Sequence, residues 1–579
     1  MRKFKTLLSI FLGLSQFAMS QHIEEGTYND WDYGPHGLYG NYKVSKVKDR
    51  KYFKLSKAGP GKYLSEEVIE SGVVTNTATV YFVDGLLSKV EQANQWGEIY
   101  EYRNYTKVGK DSFRVSIMAH GKNTFLPGKY ALYIYNKELL VEVQYFSFTD
   151  RLAEDKNGVA FIRYKRYDDS IRFAERRETA FFDARGNPVI SKSAGYHKVV
   201  SEYDDRDNDL ADAYLGNQDQ SIGVRGSEVS GKHYVYDEDN NRTETVNIGV
   251  KGDVVPDLAG IAKIRNEFDR GNLLTETRYD SLNRKTRSLS SGDGVAIIRF
   301  EYDNAGNIVR ESFFDTAGKP MNNQAGVQEF AVFYSPDNMI TQLMYFDAFG
   351  KPCSNDDGIH SIFFVRDKWD RVIQQANFDI GDKPLKTKTE EVYIVRSKYD
   401  EYGRLISNSY WADSVTKMVS WNGTHESTTK YNMDGQAIEY GKLDINGLPF
   451  RSEDGSSRQQ LIYDSAGNLS ERRFLHNDVL VNRLRGFTMN YAILKYAFDE
   501  YSRVSELSFW GADHQAVDAA AWIDDSVAVH RIVLVYRGSR VVEERFYKVG
   551  ESEPSRIIDC IKHDFVNGSG ISKGKKIAE

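Results

Sequence analysis

A motif that recurs at a fixed spacing is the feature that most restricts the fold of this 579-residue chain. The sequence YDNAGN at Tyr302–Asn307 recurs as YDSAGN at Tyr463–Asn468, and FDTAGKP at Phe314–Pro320 recurs as FDAFGKP at Phe346–Pro352. Equivalent residues lie 32 positions apart within the series, and weaker copies extend it to about twelve units. A period of this length indicates a repeat architecture, in which each unit packs mainly against its neighbours.

One unit reads as strands joined by tight turns. In residues 298–302 apolar side chains alternate with Arg299 and Glu301, which is the period of two of a half-buried strand. The aspartate that follows can accept hydrogen bonds from backbone N–H groups, and a glycine three residues later supplies the positive φ of a type I turn with a G1 bulge. The residues predicted to form these turns are Asp303, Gly306, Asp315, Gly318, Asp347, Gly350, Asp400, Gly403, Asp464 and Gly467.

These units predict an all-β fold, in which tandem hairpins form a long curled antiparallel sheet or a partly closed shell. The array is assigned to residues 161–550. An N-terminal β-rich domain is assigned to residues 21–160, where strand patterns persist but the 32-residue spacing is lost. Residues 551–579 are rich in Gly, Ser and Lys near their end and are expected to form a flexible tail.

Residues 1–20 are assigned to a signal peptide. Basic residues precede the apolar segment Leu7–Leu14, and Ala18–Ser20 has the small-x-small pattern of a cleavage site before Gln21. The protein is therefore expected to be exported, to the periplasm, the cell surface or the medium, and not to span a membrane after cleavage.

The composition agrees with strands and excludes one class of partner. The 37 Tyr, 31 Phe and 7 Trp, together with 46 Gly and only 11 Pro, favour strands and tight turns. The chain has 83 acidic and 76 basic residues, and without a basic excess nucleic acid is not an expected partner. Cys353 and Cys560 are expected to be unpaired, although an exported protein could oxidise them.

A search for chemistry predicts no catalytic residue, no metal ligand set and no cofactor. HExxH, P-loop and CxxC motifs are absent, and the 11 His are scattered without ligand spacing. Asp204, Asp205, Asp207 and Asp209 form a weak Ca²⁺ candidate, which lacks the bend glycine and the downstream Glu of an EF-hand loop, so a solvated loop is favoured. Several tryptophans are expected to fill the sheet face rather than to stack on sugars or peptides, namely Trp369, Trp411, Trp421, Trp510 and Trp522.

The tandem tips resemble the YD repeats of the bacterial Rhs (rearrangement hotspot) family. The residues that carry the resemblance are Tyr302–Asn307, Tyr399–Arg404 and Tyr463–Asn468. The resemblance implies hairpins wound into a hollow β shell that encloses a toxic C-terminal domain. The tip at Val83–Leu86 is also similar to MORN-like repeats of exported bacterial proteins.

The sequence therefore predicts a non-enzymatic exported bacterial repeat protein, which acts as a binding or structural scaffold at the cell envelope or outside the cell. Its partner would be an unidentified protein or glycan. The alternative is an Rhs-type shell component associated with toxin delivery, although the Asp-Pro-x-Gly-Leu sequence that closes Rhs cores is absent. A glycan-active enzyme is the least favoured, since it needs one place where convergent polar groups break the repeat pattern.

Overall fold

The structure of the protein is a computed structural model. It describes residues 26–34, 37–43, 51–69, 74–119, 122–123, 130–136, 139–167, 176–204, 206, 208–289, 293–387, 391–483, 490–521, 524–537 and 540–560. Every regular element in these ranges is a β-strand, so the predicted all-β fold of tandem antiparallel hairpins is confirmed. The predicted signal peptide and most of the predicted tail lie outside the described residues.

Eleven strands precede the array. They are β1 (Gly26–Gly34), β2 (Gly37–Lys43), β3 (Lys51–Gly59), β4 (Lys62–Ile69), β5 (Val74–Val83), β6 (Leu86–Asn94), β7 (Ile99–Lys107), β8 (Ser112–Ala119), β9 (Lys122–Asn123), β10 (Tyr130–Asn136) and β11 (Leu139–Phe146).

The array begins with strands whose lengths of six to eight residues vary little. They are β12 (Phe161–Arg166), β13 (Arg176–Phe182), β14 (Lys198–Tyr203), β15 (Asp209–Leu215), β16 (Val229–Tyr236), β17 (Arg242–Gly249), β18 (Lys263–Asp269), β19 (Asn272–Tyr279), β20 (Ile297–Tyr302), β21 (Ile308–Phe314), β22 (Glu329–Tyr334), β23 (Ile340–Phe346), β24 (Ser361–Arg366) and β25 (Val372–Phe378).

The remaining strands include some short ones. They are β26 (Pro384–Leu385), β27 (Ile394–Tyr399), β28 (Leu405–Trp411), β29 (Glu426–Tyr431), β30 (Ala437–Leu443), β31 (Arg458–Tyr463), β32 (Leu469–His476), β33 (Val479–Leu480), β34 (Ile493–Phe498), β35 (Val504–Trp510), β36 (Ala519–Ala521), β37 (Asp524–Val529), β38 (Arg531–Arg537), β39 (Arg540–Tyr547) and β40 (Arg556–Asp559).

Turns alternate between the two edges of the sheet. We use the word edge for each of the two sides of the sheet along which the strands end and turn. The turn within a hairpin, such as the one between β20 and β21, lies at the first edge. The turn after the second strand of the hairpin lies at the second edge. In this hairpin Ile298 pairs with Phe313, and the register shifts by one residue between Glu301 and Tyr302. That shift is a β-bulge next to the turn, as expected where a type I turn is followed by an αL residue.

The 32-residue repeat contains a third turn, which was not predicted from the sequence. After the second-edge turn at Asp315 the chain does not form a new strand. It pairs with β21 only through one isolated β-bridge, between Phe314 and Pro320. It then turns again at Asn323, whose Oδ1 accepts hydrogen bonds from the backbone N–H groups of Ala325 and Val327. Val327 is completely buried, so the third turn covers the sheet beside the second edge before the next strand begins.

The two faces of the sheet differ in polarity. On one, which we call the apolar face, the rings of Phe313, Phe330 and Tyr345 contact each other edge to face across three strands, with centroids 5.4 Å apart at each contact. On the other, the charged face, Arg310 pairs with Glu329 at 2.6 Å. The alternation within each strand therefore sorts aromatic side chains to one face and ion pairs to the other.

The chain separates into two compact units, each of which is built from segments that are distant in sequence. The first comprises Met1–Ile117, Tyr130–Gln144 and Asn157–Leu385, and the second comprises Met118–Lys129, Tyr145–Lys156 and Lys386–Glu579. The N-terminal segments thus pack with parts of the array inside both units. The domain boundary predicted near residue 160 stays a prediction.

Within each of the two compact units, a second-edge turn contacts a first-edge turn from much later in the chain. In the first unit the Gln95 amide donates to the backbone carbonyl of Trp369 at 3.4 Å, and the Arg371 guanidinium lies 5.8 Å from the Trp96 ring centroid. In the second unit the Phe148 N–H donates to the Glu500 carbonyl at 3.0 Å. The sheet therefore winds far enough within each unit to bring opposite edges together.

Candidate binding site

The predicted turn residues all lie in turns of the described structure. At the Asp303 turn, Oδ1 accepts hydrogen bonds from the N–H groups of Ala305 and Asn307 at 2.9 and 2.8 Å, and Gly306 has φ of 82°. Burial raises the pKa of Asp303, but the hydrogen bonds from Asn307 and the backbone outweigh this and hold it below its usual value. The same donor pattern holds the carboxylates of Asp315, Asp347, Asp400 and Asp464.

The tyrosine of the tip motif connects neighbouring units. The Tyr302 hydroxyl donates to the Leu273 carbonyl at 2.8 Å, and the Tyr334 hydroxyl donates to the Ile308 carbonyl at 2.9 Å. Further tip tyrosines donate to the same position of the preceding unit, namely Tyr431, Tyr463 and Tyr536. Both polar residues of the motif therefore take part in turn and inter-unit contacts, which accounts for their recurrence.

The structure describes two of the four aspartates of the weak Ca²⁺ candidate, and they have different surroundings. Asp204 begins a first-edge turn, where its Oδ1 accepts from the N–H groups of Arg206 and Asn208 at 2.9 and 2.8 Å. Asp209 begins the next strand, and its carboxyl faces Tyr203 and Asp212. Asp205 and Asp207 lie outside the described residues, and among the described residues there is no group of three acidic, His or Cys side chains that could hold a metal ion.

Four histidines that looked scattered occupy one repeated position, two residues after the third-turn glycine or its equivalent. His197 is typical: it is buried, its Nδ1 lies 2.7 Å from the Phe181 carbonyl, and its ring contacts Phe182 edge to face. A carbonyl oxygen only accepts, so Nδ1 must carry the proton. The other three histidines at this position are His360, His425 and His530. Three of the four follow the spacing Gly-x-His, which was the sequence signal that could have shown the repeated position.

The tryptophans differ from the expectation that they fill the sheet face. Trp411 and Trp510 do pack against His425 and His530. Trp369 and Trp421, however, lie in turns and are exposed, because a turn leaves a side chain with few neighbours. Trp522 lies outside the described residues.

One part of the apolar face is polar, and we call it the Asp212 cluster. It is formed by side chains of β13–β17 and of the turn before β14: Arg177, Tyr196, Ser201, Tyr203, Asp209, Asp212, Tyr214, Tyr234 and Arg242. Strand pairing brings them together, since Arg177 lies opposite Ser201 and Ser201 lies opposite Asp212.

Asp212 is the centre of the hydrogen bonds in this cluster. Its Oδ1 accepts from the Ser201 hydroxyl at 2.6 Å, and its Oδ2 accepts from the Tyr234 hydroxyl at 2.8 Å. Tyr214 is stacked on Tyr196 with ring centroids 5.0 Å apart and planes inclined by 8°. The carboxylate is therefore held by hydroxyl donors inside a group of tyrosine rings.

Two arginines pack against tyrosine rings of the cluster. The Arg177 guanidinium lies 3.9 Å from the Tyr203 ring centroid, and that of Arg242 lies 4.2 Å from the Tyr234 centroid. Arg242 also comes within 3.9 Å of the Asp209 carboxylate. Lys232 lies opposite Asp212 in the strand register, so it places a third cationic side chain on this part of the sheet.

Burial and mutual proximity shift the pKa values of the cluster. Burial raises the pKa of Asp209, and the negative charge of Asp212 raises it further. Burial together with the nearby Asp209 raises the pKa of Tyr203 to about 12, and burial together with Asp212 raises that of Tyr196 to about 12. The tyrosine hydroxyls therefore stay protonated and able to donate at neutral pH.

A cleft of about 530 Å³ lies elsewhere in the first unit. Its walls include two ion pairs, Arg163 with Glu142 and Lys198 with Asp219, each at 2.7 Å. These charges neutralise each other within the cleft, so a charged ligand would have to displace an existing partner.

No family model and no curated protein matches the chain. Solved structures do show some similarity. A crystal structure titled TcdB2-TccC3 without hypervariable C-terminal region is 11% identical, with TM-score 0.42, and the match covers 93% of this chain but 25% of that one. A Photorhabdus luminescens Tc holotoxin pore is 11% identical, with TM-score 0.23, and the match covers 86% of this chain and 30% of that one.

The chain thus spans between a quarter and a third of the length of these toxin-complex chains. At 11% identity and these TM-scores, the predicted Rhs resemblance is matched only loosely. In the described residues no helix has the length and apolar character needed to cross a bilayer.

Proposed function

We propose that the protein is a non-enzymatic binding scaffold, exported from a bacterial cell, which recognises a neutral glycan at the Asp212 cluster. The observation that carries this proposal is the break in the repeat pattern. Elsewhere the polar motif residues are used in turns and inter-unit contacts, whereas here polar and aromatic side chains converge on a half-buried part of the sheet.

The chemistry of the cluster suits a glycan. A binding site of this kind combines aromatic surface with a few placed polar groups that fix the ligand's orientation. Tyrosine rings offer surface to the C–H faces of a sugar, while hydroxyl, carboxylate and guanidinium groups can exchange hydrogen bonds with its hydroxyls. Because the carboxylates already have cationic neighbours, a neutral ligand does not have to supply a charge of its own.

The test is a glycan-binding screen of the full chain, followed by affinity measurements on variants. Asp212→Asn and Tyr214→Ala should weaken binding of any glycan found, because the first alters the acceptor and the second removes a ring. Asp337→Asn, at an exposed turn, is the matched control and should bind like the wild type. Absence of glycan binding, or equal binding by all variants, would contradict the proposal. Release of new reducing ends from a bound glycan would show an enzyme.

Export is proposed from the N-terminal sequence and is tested separately. Mass spectrometry of the protein purified from its native source should give Gln21 as the first residue. An intact terminus at Met1 or Arg2 would contradict export.

The alternative function, an Rhs-type shell component in toxin delivery, makes a different prediction. A toxic polypeptide should then copurify in fixed stoichiometry with the native protein, and the Asp212→Asn variant should retain it. Glycan binding without such a polypeptide favours the scaffold.

A further inference from the structure

We infer that the second edge of the sheet in the first unit binds the first edge of a second copy of this chain, head to tail. This inference does not depend on glycan binding. It concerns a row of exposed apolar side chains at the second-edge turns, at residues that the Asp212 cluster does not include.

The chain already makes this kind of contact within itself. In both units a second-edge turn meets a first-edge turn, at Gln95 with Trp369 and at Phe148 with Glu500. The first of these contacts also places Trp96 against Arg371. A second edge that offers an aromatic side chain is thus complementary to a first-edge turn that offers carbonyl groups and a polar side chain.

Later second-edge turns of the first unit present apolar side chains to solvent. The exposed fractions are 55% for Val250, 69% for Leu282, 86% for Phe349 and 58% for Ile380. Single exposed apolar residues are ordinary on protein surfaces, but a row at four of five consecutive turns along one edge indicates an interaction surface. We call these four residues the second-edge row.

Charge complementarity points to the first edge as the partner. Second-edge turns in this part of the chain carry exposed lysines, namely Lys251, Lys319, Lys351 and Lys383. First-edge turns of the first unit carry exposed acids, including Glu238, Asp239 and Asp337. Opposite charges around an apolar centre favour second edge against first edge and oppose pairing of two second edges, which would bring lysines together.

A second copy of the chain supplies such a first edge. The two contacts within the chain use first-edge turns at Trp369 and at Glu500, whereas the acidic turns at Asp239 and Asp337 come earlier in the sequence. Because the two surfaces differ, the contact is heterologous, and each copy keeps one edge for a further copy.

Sedimentation velocity of the full chain over a rising concentration series tests this. We expect association that strengthens with concentration and weakens with added salt, because the charged rim is exposed. The double variant Leu282→Ser/Phe349→Ser should be monomeric, since it loses the two most exposed members of the second-edge row. The double variant Asp239→Lys/Asp337→Lys should also be monomeric, because it alters the first edge.

Mixing the two double variants gives the sharpest result. The intact second edge of one variant should bind the intact first edge of the other, so an equimolar mixture should form a one-to-one complex. The matched control is Phe333→Ser, which removes an exposed ring from the charged face of β22 and should associate like the wild type. Circular dichroism of each variant checks that it is folded.

Several outcomes would overturn the inference. A wild type that stays monomeric at every concentration excludes the contact. Association by Leu282→Ser/Phe349→Ser excludes the second-edge row. Association by Asp239→Lys/Asp337→Lys alone indicates that two second edges pair with each other, and loss of association in Phe333→Ser indicates non-specific hydrophobic contact.

Discussion

Strands β13–β17 and β20–β23 share one backbone plan but carry different side chains on the apolar face. Ser201 corresponds to Phe300, Tyr214 to Phe313 and Tyr234 to Val332. One position is acidic in both regions: Asp212 lies opposite Ser201, and Glu311 lies opposite Phe300. The register shift beside each hairpin turn is the same in both regions, although the β16–β17 hairpin has a second shift between Val229 and Gly231. The repeat therefore fixes the scaffold, and the apolar face is the place where one region can acquire a separate role.

The aromatic contacts show the same contrast. In β20–β23 the rings of Phe313, Phe330 and Tyr345 meet edge to face, at interplanar angles of 88° and 80°. In β13–β17 Tyr196 and Tyr214 are stacked in parallel, and the Tyr234 hydroxyl donates a hydrogen bond to Asp212. Edge-to-face contacts of apolar rings contribute to stability, whereas a hydrogen-bonded polar group in the same place adds specificity that packing does not require.

The largest expected effect tests whether β20–β23 is the more strongly packed region. Phe313 is 3% exposed, so Phe313→Ala should lower the free energy of unfolding by about 3–5 kcal/mol. Tyr214→Ala should cost less, because Tyr214 is only half-buried. Urea unfolding followed by circular dichroism measures both, and Phe349→Ala at an exposed turn is the control. An equal loss for Phe313 and Tyr214 would remove the distinction between the regions.

The turns should respond to backbone strain wherever they lie. Gly306 has φ of 82°, which a β-branched residue resists, so Gly306→Val should lower the free energy of unfolding by about 1–3 kcal/mol. Gly467→Val, at φ of 79°, should behave alike. The neighbouring Ala305→Val, outside the positive-φ position, is the control in the same urea experiment. Unfolding midpoints that match the wild type would count against the strained turn.

Removing one tyrosine hydroxyl in each region compares how much its hydrogen bond contributes to the free energy of unfolding. Tyr234→Phe removes a donor to a charged carboxylate, so it should cost about 1.5–3 kcal/mol. Tyr334→Phe removes a donor to a backbone carbonyl and should cost about 0.5–1.5 kcal/mol. Tyr440→Phe, at an exposed ring, is the control. If Tyr334→Phe proved the more damaging variant in chemical denaturation, Asp212 would not hold its hydroxyl partners as the geometry indicates.

Local sequence was enough to predict the tips but not the cluster. The turn at Asp303 depends on residues within five positions, since the carboxylate bonds its own following N–H groups, and a motif that repeats makes this visible. The Asp212 cluster instead depends on which residues face each other across three to five strands. That register could not be read from one strand, so Asp209 appeared only as a member of an acidic run.

The third turn was missed for a different reason. Its asparagine at Asn323 varies between units, and the bridge from Phe314 to Pro320 is a single pair rather than a strand. A glycine such as Gly326, with φ of 76°, recurs in most repeats, and aligning these glycines would have indicated buried residues such as Val327 that follow them. The same alignment would have brought three of the four histidines into one column.

The smallest expected effect concerns the turn aspartates, and it tests whether their contribution to stability differs between the two regions. Hydrogen bonds hold the pKa of Asp237, beside the Asp212 cluster, and of Asp303, beside the apolar strands, below the unfolded value, although burial acts in the opposite direction. A carboxyl with a lowered folded pKa contributes stability above its unfolded pKa, and that contribution is lost as the pH falls through the acid range. Both residues are only half-buried at surface turns, so solvent screening keeps each contribution small.

Asparagine is a fair replacement at these turns, because the chain already uses it: the Asn432 Oδ1 accepts from the N–H groups of Asp434 and Gln436 at 3.1 and 2.9 Å. Asp237→Asn and Asp303→Asn should therefore leave the fold intact at neutral pH and reduce the loss of stability on acidification by the same small amount. Urea midpoints measured from neutral pH down to the acid range give that loss directly. A difference between the two variants would mean that the Asp212 cluster reaches the turns electrostatically. Equal behaviour would mean that the two regions differ only on the face of the sheet, where the proposed ligand binds.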